Sequence, residues 1–208
     1  MSIIDLGRHT FPSPEFKKLI KESVTFFCGT PVLELPPNSK FVGTGVYALY
    51  YIGNLSDYSM IVDKSGNEYK LPIYVGKAVP TGWRQARSTD STKSAALYTR
   101  LREHSRGIDM ANNIALDDFR CRFMILANDE SDLIGTVEAA LIREFQPLWN
   151  CIIDGFGNHD PGKGRYDRAI SEWDTLHPGR IWVNRLSGEK PKISVIKQKI
   201  EKYSMSLK

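Results

Sequence analysis

Apolar positions along this chain change period several times, and each change marks an element. From Ser13-Pro14 onward, Phe16, Leu19, Ile20, Val24 and Phe27 recur at helical spacing. A capping serine and a proline at the first helical position precede them, which predicts an amphipathic helix over 13–27. The segment LELPPNSKFVGTG is broken by Pro36, Pro37, Asn38 and Gly43 and reads as a loop leading into a strand, GVYALYYI, at 45–52. There follow a turn at Gly53-Asn54, an apolar YSMIV run, a hairpin-like Asp63-Lys64-Ser65-Gly66-Asn67, and EYKLPIYVG ending at Gly76. Together these predict an antiparallel meander.

Beyond a polar loop at 78–92, residues 94–106 read as a helix, with Ser91 or Thr92 as its cap and Gly107 as its stop. FRCRFMILA at 119–127 alternates as a strand does, and a second helix runs from Ser131 to about Phe145 before Pro147 ends it. After Asn150 the composition changes. Residues 155–168 are rich in glycine and charge, a short helical stretch surrounds Ala169–Asp174, HPGRIWV follows, and a lysine-rich tail begins at Lys190. This order predicts an α+β fold: a small, mainly antiparallel sheet flanked by helices. An N-terminal helix and loop occupy 1–44, a core 45–150 and a C-terminal extension 151–208, in one compact unit.

Composition narrows the class. The 41% apolar and 25% charged content is that of a globular protein, and no apolar run is long enough to span a membrane. The N-terminus MSIIDLGRHTF has neither a basic leader nor a small-residue cleavage site, so the expected location is the cytoplasm. Three widely spaced cysteines, Cys28, Cys121 and Cys151, form no CxxC pair and are expected as small core residues in a reducing compartment. His9, His104, His159 and His177 pair with no ligand at metal spacing, which argues against zinc. The net charge is only +4, but residues 77–106 carry seven Lys or Arg against two acids and residues 156–208 eleven against six. Two basic stretches on a nearly balanced chain suit a protein that neutralises phosphates along a groove, although solvated surface would produce the same count.

The chemistry concentrates on a few positions. On the 131–145 helix, Ile134, Val137, Leu141, Ile142 and Phe145 define one apolar face, and Glu138 falls in its middle. A carboxylate aimed at the core must meet a cation, hydrogen-bond donors or a metal ion, because desolvating it alone costs several kcal/mol. Arg100 and His104, four apart, share a helix face at the edge of the Leu97–Leu101 stripe, with Arg102 and Arg106 on the exposed side. Such an arginine suits a phosphate oxygen and such a histidine suits proton transfer, or the pair is a packed histidine beside an Arg100–Glu103 bridge. Tyr47 and Tyr74 lie in strands, in the words Gly45-Val46-Tyr47 and Tyr74-Val75-Gly76.

With Arg100 and His104 on the first core helix, Glu138 on the next and Asn150 just after it, those two words resemble the GIY-YIG nuclease superfamily over residues 45–150. Both isoleucines are valine, and 26 residues separate the two words. The strings DPGKGR at 160–165 and HPGRIW at 177–182 look like the C-terminal region of its restriction endonucleases that cut GC-rich palindromes. The resemblance implies a type II restriction endonuclease that hydrolyses double-stranded DNA with Mg²⁺, leaving 5′-phosphate and 3′-hydroxyl ends. Glu138 would hold the Mg²⁺, Arg100 would neutralise a phosphate oxygen, and Tyr47 would be, or feed, the general base. That role needs a lowered phenol pKa, from Arg100, Lys77 or the metal. His104 and Tyr74 would orient the water or Tyr47, and Asn150 would fix the helix end.

A palindrome implies a homodimer, with Arg165, Arg168 and Arg180 reading bases and Lys163 and Arg185 on phosphates. A cognate DNA methyltransferase is the expected genetic partner. A structure-specific repair nuclease on the same core and a catalytically silent DNA-binding protein are the alternatives.

Overall fold

The computed structural model describes residues 4–65, 68–80, 83 and 93–207. Helix α1 spans Pro14–Gly29, with the Ser13 side chain accepting from the Phe16 amide and Pro14 at its start, as the cap signal predicts. Strand β1 is Leu33–Glu34, β2 Gly45–Tyr51, β3 Tyr74–Ala78 and β4 Phe119–Ile125. They form one antiparallel sheet in the order β1-β4-β2-β3, so β3 is an edge and β2 is central. The α+β class and the antiparallel sheet agree with the sequence reading. The short edge pairing of β1 with β4 was not expected from the loop-like LELPP segment.

Strand β2 is buried along its whole length. Alternation therefore sends its side chains into two separate cores. Val46, Ala48 and Tyr50 pack with Val75, Met124 and Phe27 under helix α4, Ile134–Phe145. Tyr47, Leu49 and Tyr51 face the other way, into a larger cluster with Leu97, Leu101 and Ile108 of helix α3, Ala96–Asp109. The C-terminal extension joins this second core through Phe156, Trp173, Leu176, Ile196, Ile200 and Tyr203. Those residues come from the loop after helix α5 (Leu148–Cys151), from helix α6 (Glu172–Leu176) and from helix α7 (Ile193–Ser206).

Three expectations are corrected. The YSMIV run is no strand: Ser59–Ser65 forms helix α2, preceded by a 3₁₀ turn at Ser56–Tyr58. Tyr58 and Ile61 fall three apart on its buried side, and β2 then pairs directly with β3. Helix α3 runs through Gly107 to Asp109, with the Met110 amide bonding back to Arg106, so that glycine is no stop. Its proposed caps, Ser91 and Thr92, lie outside the described residues. Of the cysteines only Cys121 is buried; Cys28 and Cys151 are exposed, and all three are free. Among the described residues no helix is long and apolar enough to cross a membrane.

Candidate active site

Cross-strand register places Tyr47 opposite Gly76 and Leu49 opposite Tyr74, so both tyrosines project from the same face of the sheet, toward α3. The glycines of the two words have steric causes. A Cβ on Gly76 would stand 2.4 Å from the Tyr47 hydroxyl, because that phenol lies across the strand directly over it. Gly45 has φ +149°, and a Cβ there would stand 2.1 Å from the Met124 carbonyl oxygen. Only a residue without a side chain lets β2 and β4 approach at that point.

The Tyr47 hydroxyl lies 2.6 Å from His104 Nε2 in a buried setting. Burial raises the Tyr47 phenol well above its ordinary range, the neighbouring Tyr74 adds to this, and the opposing pull of Arg100 does not compensate. Burial likewise pushes the His104 imidazole well below its ordinary range, assisted by the positive charges of Arg100 and Arg180. A protonated phenol beside a neutral imidazole donates to Nε2. The lowered phenol pKa expected from the sequence is therefore not what this environment produces. It offers a proton acceptor behind the phenol instead.

Arg100 projects from the same side of α3. Its Nη2 donates to the Gly157 carbonyl at 3.2 Å, its Nη1 donates to Glu103 at 2.9 Å, and Nη1 also meets His159 Nε2. Its positive charge also draws the Tyr47 and Tyr74 phenols downward, against the effect of burial. The arginine therefore makes the Glu103 bridge and also acts on the two phenols through its charge. His159 was not singled out from the sequence, since a lone histidine in a glycine-rich loop carries no spacing signal.

Lys77 and Glu138 come from the opposite face. Lys77 alternates with Gly76 and so points toward α4, where its Nζ donates to Glu138 Oε2 at 2.5 Å. Glu138 does meet a cation, but one from the neighbouring strand, and Lys77 is committed to it rather than to Tyr47. The Glu138 side chain keeps 19% of its surface open, and its charge is felt at both Tyr47 and Tyr74. The two sets of groups, one from each face, thus converge at the β3 edge. Among the described residues no three His, Cys, Asp or Glu side chains gather to hold a metal ion. Mg²⁺ binds through one or two carboxylates and completes its shell with water and phosphate oxygens, so a single part-open carboxylate that already attracts a cation fits it.

Asn150 lies just after α4, as expected, in α5. Its Oδ1 accepts from the Val75 amide and its Nδ2 donates to the Val75 carbonyl, both at 2.8 Å, so it secures β3 and not a helix terminus. On the same face of the sheet, a second polar chain runs from the buried Tyr58, Trp149 and His177 out to the exposed Asn113. Tyr58 lies 2.5 Å from His177 Nε2, Trp149 Nε1 donates to the Tyr58 oxygen at 3.1 Å, and His177 Nδ1 meets Asn113 Oδ1 at 2.9 Å.

The five basic residues expected at DNA separate into three groups. Lys163, Arg165 and Arg168 are exposed on the loop after Phe156. Arg185 is also exposed, but its Nη2 donates to Asp160 at 2.9 Å and its Nη1 to the Tyr166 hydroxyl at 2.7 Å, clipping the base of that loop. Arg180 is the correction. It is buried, its guanidinium stacks 4.0 Å from the Trp173 ring centroid, and its Nη2 donates to the Phe156 carbonyl at 2.8 Å. Its fork is taken up by backbone carbonyls inside the protein, at the floor of the cleft that Arg100, His104 and His159 also line.

A central antiparallel sheet with tyrosines from two adjacent strands, an arginine and histidine on one helix and a glutamate on the next defines a GIY-YIG nuclease core. Comparison with known families agrees: the model described as the Eco29kI GIY-YIG domain matches residues 39–204, well over half of the chain. The chain belongs to this family of GIY-YIG restriction endonucleases and is a DNA-cleaving nuclease. The match runs past Asn150 through most of α7, beyond the 45–150 span that carries the resemblance in sequence. No curated protein matched the chain.

Proposed function

We propose that the protein is a Mg²⁺-dependent type II restriction endonuclease that cuts both strands of DNA at a GC-rich palindrome, leaving 5′-phosphate and 3′-hydroxyl ends. The observation that carries this reading is the enclosed Tyr47–His104 hydrogen bond, with Arg100 beside it and Glu138 across the β3 edge. A phenol that donates to an imidazole retains lone pairs on its oxygen with which to accept from a water molecule. As that water attacks phosphorus, its proton passes to the Tyr47 oxygen while the phenol proton moves to His104 Nε2, so neither group need carry a charge beforehand. Arg100 places positive charge against a non-bridging oxygen as the phosphorane builds. Tyr74 packs beside Tyr47 and limits its orientation, with ring centroids 6.2 Å apart. Bound to Glu138, a divalent cation would polarise the phosphate and neutralise the leaving oxygen.

Two copies would bind one palindrome, each on a half-site, with Arg165 and Arg168 at base edges and Lys163 at phosphates. Arg185 supports the same loop. Such an enzyme would work in the cytoplasm, with a DNA methyltransferase of matching specificity protecting the host genome. The test is incubation of the purified protein with a long plasmid, with Mg²⁺ or with EDTA, followed by sequencing of the fragment ends. Discrete Mg²⁺-dependent fragments ending in one palindrome are expected. Unspecific nicking, or salt-sensitive binding without cleavage, would overturn the reading.

A further inference from the structure

We infer that Arg180 and Phe156, both in the C-terminal extension, are positioning residues for the nuclease reaction, holding His104 and Arg100 in place from outside the sheet. The inference rests on the nuclease reading for its kinetic consequence, but its structural basis is independent of it. The Phe156 ring stacks on the His104 imidazole, with centroids 4.6 Å apart and planes 15° from parallel, and meets Tyr74 edge-on at 4.8 Å. The next residue, Gly157, offers its carbonyl to Arg100 Nη2 at 3.2 Å, and a Cβ there would stand 3.0 Å from the Tyr74 hydroxyl. Two consecutive residues, Phe156 and Gly157, thus cover the imidazole and hold Arg100.

Arg180 is what fixes that segment. Its Nη2 donates to the Phe156 carbonyl at 2.8 Å and its Nη1 to the Gly155 carbonyl at 3.3 Å, while the guanidinium lies over the Trp173 ring at 4.0 Å and approaches Phe156 at 5.7 Å. Asp174 supplies its counter-charge at 3.4 Å. The same guanidinium lies against α3 one turn beyond His104, where a methyl on Gly107 would stand 3.1 Å from Nη2. A planar fork fits this space between helix and loop, and a lysine ammonium cannot make both carbonyl bonds in the same plane. The path is short: guanidinium to the Phe156 backbone, Phe156 ring to imidazole, imidazole to the Tyr47 phenol. Along this path Arg180 acts through the backbone and ring that it holds.

The variants Arg180→Lys and Phe156→Leu test this. In each, kcat for plasmid cleavage should fall at least tenfold, while KM and the Kd for a short duplex carrying the cut site, measured in EDTA, stay within twofold. A readout independent of cleavage is the His104 imidazole, followed by ¹⁵N NMR from pH 8 to 5. The charged or titratable groups facing it are Tyr47 on β2, Tyr74 on β3, Arg100 on its own helix, and Arg180 and His159 from the extension. Loosening the covering ring admits water, so His104 should take up its proton at a higher pH in both variants than in the wild type. An Arg180→Lys protein with unchanged kcat but weakened or relaxed DNA binding would make Arg180 a DNA contact and overturn the inference, as would an unmoved His104 in either variant. Phe156→Leu, a modest apolar change, decides the matter if Arg180→Lys does not fold. Wild-type protein that cuts no DNA would remove the nuclease reading alone, leaving the imidazole titration to judge the positioning.

Discussion

Tyr47 and His104 are 57 residues apart in the chain and 2.6 Å apart in the fold, joined by a hydrogen bond from which solvent is almost wholly excluded. Removing the phenol oxygen while keeping the ring isolates its chemical part. Tyr47→Phe should retain the fold and DNA binding and lose roughly 10²-fold or more in cleavage rate, the usual size of a lost acid–base contribution. Normal cutting by this variant, assayed on plasmid DNA, would remove the hydroxyl from the mechanism.

Glu138→Gln keeps the size of the side chain and removes its charge. Cleavage should be abolished at every Mg²⁺ concentration, while duplex binding in EDTA persists or strengthens because a negative charge near phosphate is gone. Full activity retained at limiting Mg²⁺ would show that the carboxylate does not hold the cation.

Gly76→Ala should couple stability to activity. The added methyl cannot coexist with the Tyr47 hydroxyl in its present position, 2.4 Å away, so the phenol must leave its bond to His104. Overpacking of this kind costs about 1–3 kcal/mol, and cleavage should fall as far as in Tyr47→Phe. Thermal denaturation and plasmid cleavage report the two effects, and a variant as stable and as active as wild type would contradict the geometry.

Acid should destabilise the protein earlier than carboxylate protonation alone would. Burial pushes His177 down to about 3, and the nearby Arg180 adds to the shift; burial also lowers His104. An unfolded histidine binds its proton near pH 6.5, so below that pH the unfolded state holds more protons than the folded one, and stability falls as pH falls. For His177 the loss continues until about pH 3. His177 Nε2, at 2.5 Å from Tyr58, is an acceptor in the neutral form and has no such role once protonated. Melting temperatures from pH 8 to 4 should show this decline, and His177→Gln should flatten it. An unchanged slope in that variant would assign the acid sensitivity elsewhere.

Loop arginines and the loop lysine should separate by specificity. Arg165→Ala and Arg168→Ala should weaken binding to the cut site far more than to unrelated duplex, whereas Lys163→Ala should weaken both alike and reduce the salt dependence of binding. Equal losses on all sequences for the arginine variants would assign them to the backbone.

Much of the site was legible because its residues obey local periods. Glu138 stands out as a charge inside an apolar helical face, and Arg100 and His104 as a polar pair at i and i+4. What local pattern could not supply was the partner. Glu138 was expected to meet a cation, but Lys77 lies 61 residues away on a strand whose register fixes the pair. Helix α2 was misread because its YSMIV run is aromatic and branched and so suits a strand, whereas burial of Tyr58 and Ile61 against the sheet selects the helical period. Arg180 was misplaced for a related reason. An arginine in a glycine-rich basic extension reads as surface, and only Trp173 and Asp174 folding back beneath it make burial favourable.

Edge strands normally leave one row of backbone groups open, ready to recruit a strand from another chain. Here the outward amide and carbonyl of Val75 are both taken by one asparagine side chain, Asn150, and the Ile73 carbonyl by the amide of Trp149. The outer border of β3 is therefore occupied by the chain itself at Val75 and, just before the strand, at Ile73. A strand from a second copy could pair there only by displacing Asn150. Beside Tyr74 the backbone is held by the protein's own asparagine, and that stretch of the border is left to side-chain chemistry.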